Sequence, residues 1–270
     1  MPRESTIEEP HTEAHVEESP RPERKMHPEI AELEEPIQKL LEQLRERIDR
    51  GDYQLIIGDD ASGRIPARIM HQALQEIYKE KGLKEPDIRF FAGSGGSDIR
   101  PSYEDCDKKT HDIAEYLSRY AAGLPTYKDA PQKASFPEKT MRRALIVTDT
   151  IVTGDSLVPI VNALKNNGIA YDIAAIGRYG YTRQDEKLLG SPENKIFHAQ
   201  SHVPAIDQAR HISGVYKRTE DVFSRKITTP KYEGPERKRE VQQIINEARE
   251  DAKKIADELV EWYQKTVKHE

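Results

Sequence analysis

The chain has 270 residues, 33% of them charged and 36% hydrophobic, with a formal net charge of −6. That length holds one sizeable α/β domain with additions, and the acidic balance argues against broad nucleic-acid binding. No apolar run approaches the roughly 20 residues needed to cross a bilayer, so no membrane partner is expected. Cys106 is the only cysteine, so an intrachain disulfide is excluded. With no apolar leader core at the N-terminus, these features point to the cytoplasm.

Residues 1–26 are rich in Glu, Pro, Ser and His and nearly free of large apolar side chains, so they read as a disordered acidic tail. Pro36 suits the first turn of a helix, and Ile37, Leu40, Leu41, Leu44 and Ile48 fall on one face of it. A weaker apolar stretch with Ile30 and Leu33 precedes it, and Gly51-Asp52 ends it. Leu55 to Ile57 reads as a short strand. The polar loop Gly58-Asp59-Asp60-Ala61-Ser62-Gly63-Arg64 follows, then a helix whose apolar side is Ile69, Ala73, Leu74 and Ile77. Gly63 permits close backbone approach to a ligand, and Arg64 offers a fork of donors to phosphate oxygens or to a surface carboxylate.

Ile88 to Ala92 is the next strand, and Gly93-Ser94-Gly95-Gly96 reads either as a flexible turn or as a wall of a cleft. Ser97 to Asp107 looks irregular. Lys109 to Ala122 looks helical, with Ile113, Tyr116, Leu117 and Tyr120 on one side. The stretch from Gly123 to Thr140 reads as a long loop, in which Lys128, Lys133 and Lys139 either meet a polyphosphate or stay solvated.

The most informative stretch runs from Arg143 to Gly168. Ala144 to Val147 is a buried strand with Asp149 at its expected end. Thr153-Gly154-Asp155-Ser156 is a small polar loop, and the helix after it carries Leu157, Ile160, Val161 and Leu164 on one face and stops at Asn167-Gly168. A loop entering a helix N-terminus presents backbone N–H groups to an anion, and a carboxylate at a strand tip can accept hydrogen bonds from sugar hydroxyls. The chemistry suggested is recognition of a phosphorylated sugar. Asp155 either caps the helix or faces the ligand.

Tyr171 to Gly177 and Lys195 to Ala199 read as further strands, with Arg178, Tyr179 and Tyr181 just beyond the first, at the edge where α/β proteins bind ligands. His211 to Tyr216 reads as a final edge strand. His198, His202 and His211 lack a closing ligand pattern, which disfavours a metal site there. Pro230 and Gly234-Pro235 mark a boundary. Beyond it a heptad-like seam of Val241, Ile245, Ala248, Ala252, Ile255, Leu259 and Trp262 either packs back on the domain or pairs with a second subunit in a homodimer.

The stretch LIVTDTIVTGDS resembles the signature of type I phosphoribosyltransferases, in which an apolar strand, two acidic residues and a Thr-Gly loop lead into a helix. The resemblance runs from Tyr53 to Tyr216. It implies an α/β fold of that type, a mostly parallel sheet flanked by helices, over residues 27–232; the apolar seam beyond that domain reads separately as a long C-terminal amphipathic helix over 233–270. It also implies that Ile151, Val152, Thr153, Gly154, Asp155 and Ser156 bind the 5-phosphate of phosphoribosyl pyrophosphate (PRPP). Ser62, Gly63 and Arg64 would hold its pyrophosphate. Asp149 and Thr148 would meet the ribose hydroxyls as the catalytic pair, and Arg178, Tyr179 and Tyr181 would lie on the acceptor side. Mg²⁺ would enter with PRPP, with no direct protein ligand assigned. The implied reaction is phosphoribosyl transfer to a nitrogenous acceptor with release of pyrophosphate, a step of nucleotide metabolism. The alternative is a non-catalytic sensor of PRPP or nucleotides on the same fold. The chain departs from the family pattern at Thr148, which stands where the first acidic residue is expected.

Overall fold

The computed structural model describes residues 24–59, 63–93, 103–122, 143–179, 188–200, 212, 215–216, 222–223, 225–226 and 235–267. Five strands form one parallel sheet: β1 (Tyr53–Asp59), β2 (Asp87–Phe91), β3 (Arg143–Ile151), β4 (Ala170–Arg178) and β5 (Ile196–Gln200). Their order is β2-β1-β3-β4-β5. The inner strands β1, β3 and β4 are buried almost along their whole length, as a parallel sheet covered on both faces requires.

The helices are α1 (Pro28–Ala31), α2 (Glu34–Asp49), α3 (Arg64–Glu80), α4 (Tyr103–Ala121), α5 (Val158–Asn166) and α6 (Pro235–Val267). One face of the sheet carries α1, α2, α3 and α6, whose Ile37, Leu41, Ile69, Leu74, Ile255 and Leu259 close over Ile56, Leu145 and Val147. The other face carries α4 and α5, with Ile113, Leu117, Ile160 and Leu164 over Leu55, Ile57 and Ile146. Period-2 alternation along β1 and β3 sends neighbouring side chains into these two cores in turn. The result is a three-layer α/β/α architecture with a long C-terminal helix.

The seam of α6 packs back on the domain. Ala248 and Ala252 are buried, which lets the helix approach α3 closely, and the Tyr263 hydroxyl donates to Asp49 at 2.8 Å. At the other end of the same contact, Arg24 is paired with Asp251, and the His27 amide donates to Asp251 Oδ2 at 2.9 Å. The docked chain therefore begins at or before Arg24; the tail expected over 1–26 otherwise lies outside the described residues.

Opposite the strand tips, a polar knot ties the layers together. Asp172, fully buried on β4, is paired with Arg47 of α2 and lies 3.3 Å from Arg143 of β3. It also accepts from the Tyr53 hydroxyl at 2.8 Å and from the Lys195 amide at 2.8 Å.

Three expectations need correction. Helix α4 starts at Tyr103, within the stretch read as irregular; Glu104 and Asp105 in its first turn complement the helix dipole. Strand β3 does not end at Asp149. Its pairing with β4 continues through Thr150↔Gly177 and Ile151↔Arg178, so Arg178 also lies inside a strand. Val215–Tyr216 is not an edge of the main sheet: as β6 it pairs antiparallel with β7 (Arg225–Lys226) in a separate two-stranded sheet. The long loop expected over 123–140 falls outside the described residues. No helix among the described residues is long and apolar enough to cross a membrane.

Candidate active site

In this strand order β1 and β3 are neighbours whose following connections leave in opposite directions, to β2 and to β4. Such a switch point opens a crevice outside the carboxyl ends of the strands, where α/β sheets bind ligands. The side chains at that point are Asp59 at the tip of β1 and Thr148 and Asp149 near the tip of β3. They are 5%, 0% and 8% exposed, respectively.

Thr148 stands between the two carboxylates. Its Oγ1 is 3.4 Å from Asp59 Oδ2 and 3.3 Å from Asp149 Oδ1. A hydroxyl has one proton, so it satisfies one carboxylate at a time. The Ser156 hydroxyl also donates to Asp59 Oδ2, at 3.0 Å, and the Thr150 amide fixes Asp149 Oδ1 at 2.7 Å. Two acidic groups on adjacent strands are thus oriented by their neighbours at the mouth of the crevice. Asp59 is the residue sequence reasoning passed over. Its signal was the same as that of Asp149, an acid at the end of an apolar strand followed by a glycine-bearing loop.

The loop from Val152 to Leu157 bounds the crevice on the β3 side. Gly154 has φ +79°, a left-handed conformation that favours glycine, and an added Cβ would lie 2.7 Å from Leu188 Cδ1. The turn is closed by the Leu157 amide donating to the Gly154 carbonyl at 3.0 Å and the Asp155 amide donating to Thr153 Oγ1 at 3.3 Å. The amides of Thr153, Gly154 and Ser156 make no hydrogen bond among the described residues, which leaves three donors on one tight turn. Successive free amides of this kind make an anion-binding concavity. Helix α5 begins only at Val158, with Leu157 in the cap position and no side-chain cap bond, so Asp155 is not the helix cap.

Two close backbone approaches set the walls. A Cβ on Gly63 would meet the Asp59 carbonyl oxygen at 2.5 Å and the Val147 carbonyl oxygen at 3.0 Å, so the start of α3 sits directly against both strand tips. A Cβ on Gly93 would meet the Ser156 carbonyl oxygen at 1.9 Å, so the end of β2 forms a wall behind the loop. Buried Lys109 of α4 holds that wall, donating to the Ala92 carbonyl at 3.1 Å. Cys106, one turn before Lys109, is half-buried; burial pushes its thiol pKa up, which makes it a poor nucleophile.

The other expected site residues are spread around this centre. The Arg64 guanidinium lies 4.0 Å over the Phe90 ring, toward β2. Val152 (55% exposed) and Tyr179 (48%) both carry exposed side chains, and the Tyr179 amide donates to the carbonyl of Ile151, the residue before Val152, at 3.0 Å. Arg178 is buried at the end of β4, and its charge adds to burial in lowering the pKa of His198. Ser62 and Tyr181 lie outside the described residues, as do His202 and His211. No group of three or more His, Cys, Asp or Glu that could hold a metal occurs among the described residues. The oxygen donors Asp59, Asp149 and Thr148 are of the hard type that suits Mg²⁺.

No protein-family model matches the sequence, and no curated protein matches it. Among solved structures, the chain is similar to the crystal structure of a purine phosphoribosyltransferase from Pyrococcus horikoshii Ot3. The TM-score is 0.29 and the identity 18%, over 63% of this chain and 80% of that one. Agreement at that level carries no weight for fold or chemistry, which rest on the strand order and the residues above.

Proposed function

We propose that this protein binds PRPP at the β1/β3 switch point and transfers its phosphoribosyl group to a nitrogenous acceptor. The observation that carries the reading is the pairing of two oriented carboxylates, Asp59 and Asp149, with three amides on the adjacent loop that make no hydrogen bond among the described residues. The carboxylates suit ribose hydroxyls and the amides suit a phosphate. Thr148 lacks the charge expected at its position, and Asp59 on the next strand supplies a carboxylate beside it. In the reaction the bond from the anomeric carbon to pyrophosphate breaks, the acceptor nitrogen forms the new bond and then loses its proton, and pyrophosphate leaves. Mg²⁺ bound to the pyrophosphate would neutralise charge on the leaving group. Asp59 and Asp149 would hold the ribose by its hydroxyls and stabilise positive charge developing on the ring, and the loop from Val152 to Ser156 would fix the 5-phosphate. Positioning and electrostatics of this kind supply most of the rate enhancement in such a site. The exposed Tyr179 ring would stack on a planar acceptor.

A second reading, a non-catalytic PRPP sensor, draws support from the neutral Thr148 and from the Ser156 hydroxyl being engaged by Asp59 rather than turned to a ligand. Pyrophosphate release from PRPP and Mg²⁺, measured with a panel of purines, pyrimidines, orotate and amine donors, separates the two. The enzyme reading expects release with at least one acceptor and its loss in Asp59→Asn. PRPP binding without release from any acceptor would replace it with the sensor.

A further inference from the structure

We propose that Arg64, Arg68 and Arg249 form a binding site for a di- or triphosphate anion on the α3–α6 side of the sheet. Arg64 and Arg68 are four residues apart on α3 and so share one face, about 6 Å apart along the axis. Both guanidinium groups are drawn to the same ring: Arg64 lies 4.0 Å and Arg68 5.5 Å from the Phe90 centroid. Arg249 comes from α6, next to Ala248, which is buried in the core that α6 shares with α3. It is near enough to repel both of the others.

Among the described residues no carboxylate pairs with any of the three. Arg24, Arg47, Arg50 and Arg143 elsewhere each have an aspartate partner. The cluster is costly as it stands. Burial and then repulsion from Arg68 and Arg249 push the Arg64 pKa down to about 10, and burial and Arg249 lower that of Arg68. Arg64 Nε is buried with no hydrogen-bond partner among the described residues. The Phe90 ring compensates only in part, since a cation–π contact contributes about 0.5–2 kcal/mol. A ring also engages a guanidinium through its face and leaves the in-plane N–H donors unused. Those donors form the fork that matches phosphate oxygens. A multiply charged anion would remove the repulsion and satisfy the donors together.

Arg64 directly follows Gly63, so the cluster starts at the edge of the candidate active site and extends away from it by one helical turn. Its third member ties α6 to the ligand. The inference meets the PRPP reading at Arg64, the residue expected to hold the pyrophosphate of PRPP, and goes beyond it at Arg68 and Arg249, which that reading does not use.

The test is isothermal calorimetry and thermal unfolding of the full chain with sodium pyrophosphate and with tripolyphosphate. Arg68→Gln and Arg249→Gln are the variants, and neither is placed at the ribose or the 5-phosphate. The wild type is expected to bind saturably and to unfold at higher temperature with ligand. Each variant should lose at least about tenfold in affinity while unfolding at no lower a temperature than wild type without ligand, because removing one cation relieves repulsion. Absence of saturable binding to the wild type at millimolar anion, or unchanged affinity in both variants, would overturn the proposal. Asp149→Asn separates the two readings: it should lose PRPP and keep pyrophosphate at the arginine cluster.

Discussion

Gly93→Ala tests how the crevice wall is built. The new Cβ would lie 1.9 Å from the Ser156 carbonyl oxygen and 3.0 Å from its carbonyl carbon, and both are backbone atoms that no rotamer change can move aside. Restoring a separation of even 3.0 Å requires the end of β2 and the loop to part by about 1 Å. The Ser156 to Asp59 hydrogen bond, now 3.0 Å, would lengthen to about 4 Å, beyond hydrogen-bonding range. Overpacking of this kind costs about 1–3 kcal/mol, and loss of a hydrogen bond to a carboxylate adds about 1.5–3 kcal/mol, with relaxation reducing the sum. We expect a destabilisation of about 2–4 kcal/mol by denaturant titration. Ser156→Ala removes the hydrogen bond without the clash and should cost less. The two changes share that bond, so the double variant should be less destabilised than the sum of the singles. A Gly93→Ala protein within about 0.5 kcal/mol of wild type would refute the packing argument.

Other substitutions examine the scaffold. Asp172→Ala leaves Arg47 and Arg143 without their shared carboxylate and should cost about 3–5 kcal/mol in an unfolding titration; a loss under about 1 kcal/mol would show the knot to be incidental. Leu259→Ala, in the core that α6 shares with α2 and α3, should destabilise by about 2–5 kcal/mol, whereas a helix that docked only loosely would show almost none. His71 is held by burial below its ordinary value of 6.5, against the opposing effect of its hydrogen bond to the Pro86 carbonyl. The unfolded chain therefore takes up that proton first as pH falls. The stability is complete above about 6.5 and declines below it toward the folded-state value. Unfolding free energies at about pH 7 and pH 5.5 should fall more in wild type than in His71→Gln; equal falls would remove His71 from the pH dependence.

The elements with strong periodicity were legible in the sequence because burial follows side-chain pattern. The apolar faces of α2, α3 and α5 are those the spacing predicts, and so are the strands centred on Ile56, Ile146 and Ile173. Strand ends were less legible. Polar residues suggest exposure, yet Thr148 to Ile151 stay in the sheet because β4 offers them a partner as far as Arg178. Between the adjacent acids Asp59 and Asp60 the sequence cannot choose, since what singles out Asp59 is Thr148 and Ser156, 89 and 97 residues away. The α6 seam fitted either a core or a dimer, and small alanines together with the Tyr263 to Asp49 bond fit it to the core. The position of Arg64 at a loop–helix junction was legible from its neighbours. Its direction was not, because it depends on Phe90, a strand away.

Calorimetric titration of the full chain with PRPP and Mg²⁺ decides whether the β1/β3 crevice is a PRPP site. Saturable binding is expected, weakening at least about tenfold in Asp149→Asn and in Asp59→Asn, with both variants folded by circular dichroism. Absence of binding to folded wild-type protein at millimolar PRPP, or unchanged affinity in both variants, would contradict it.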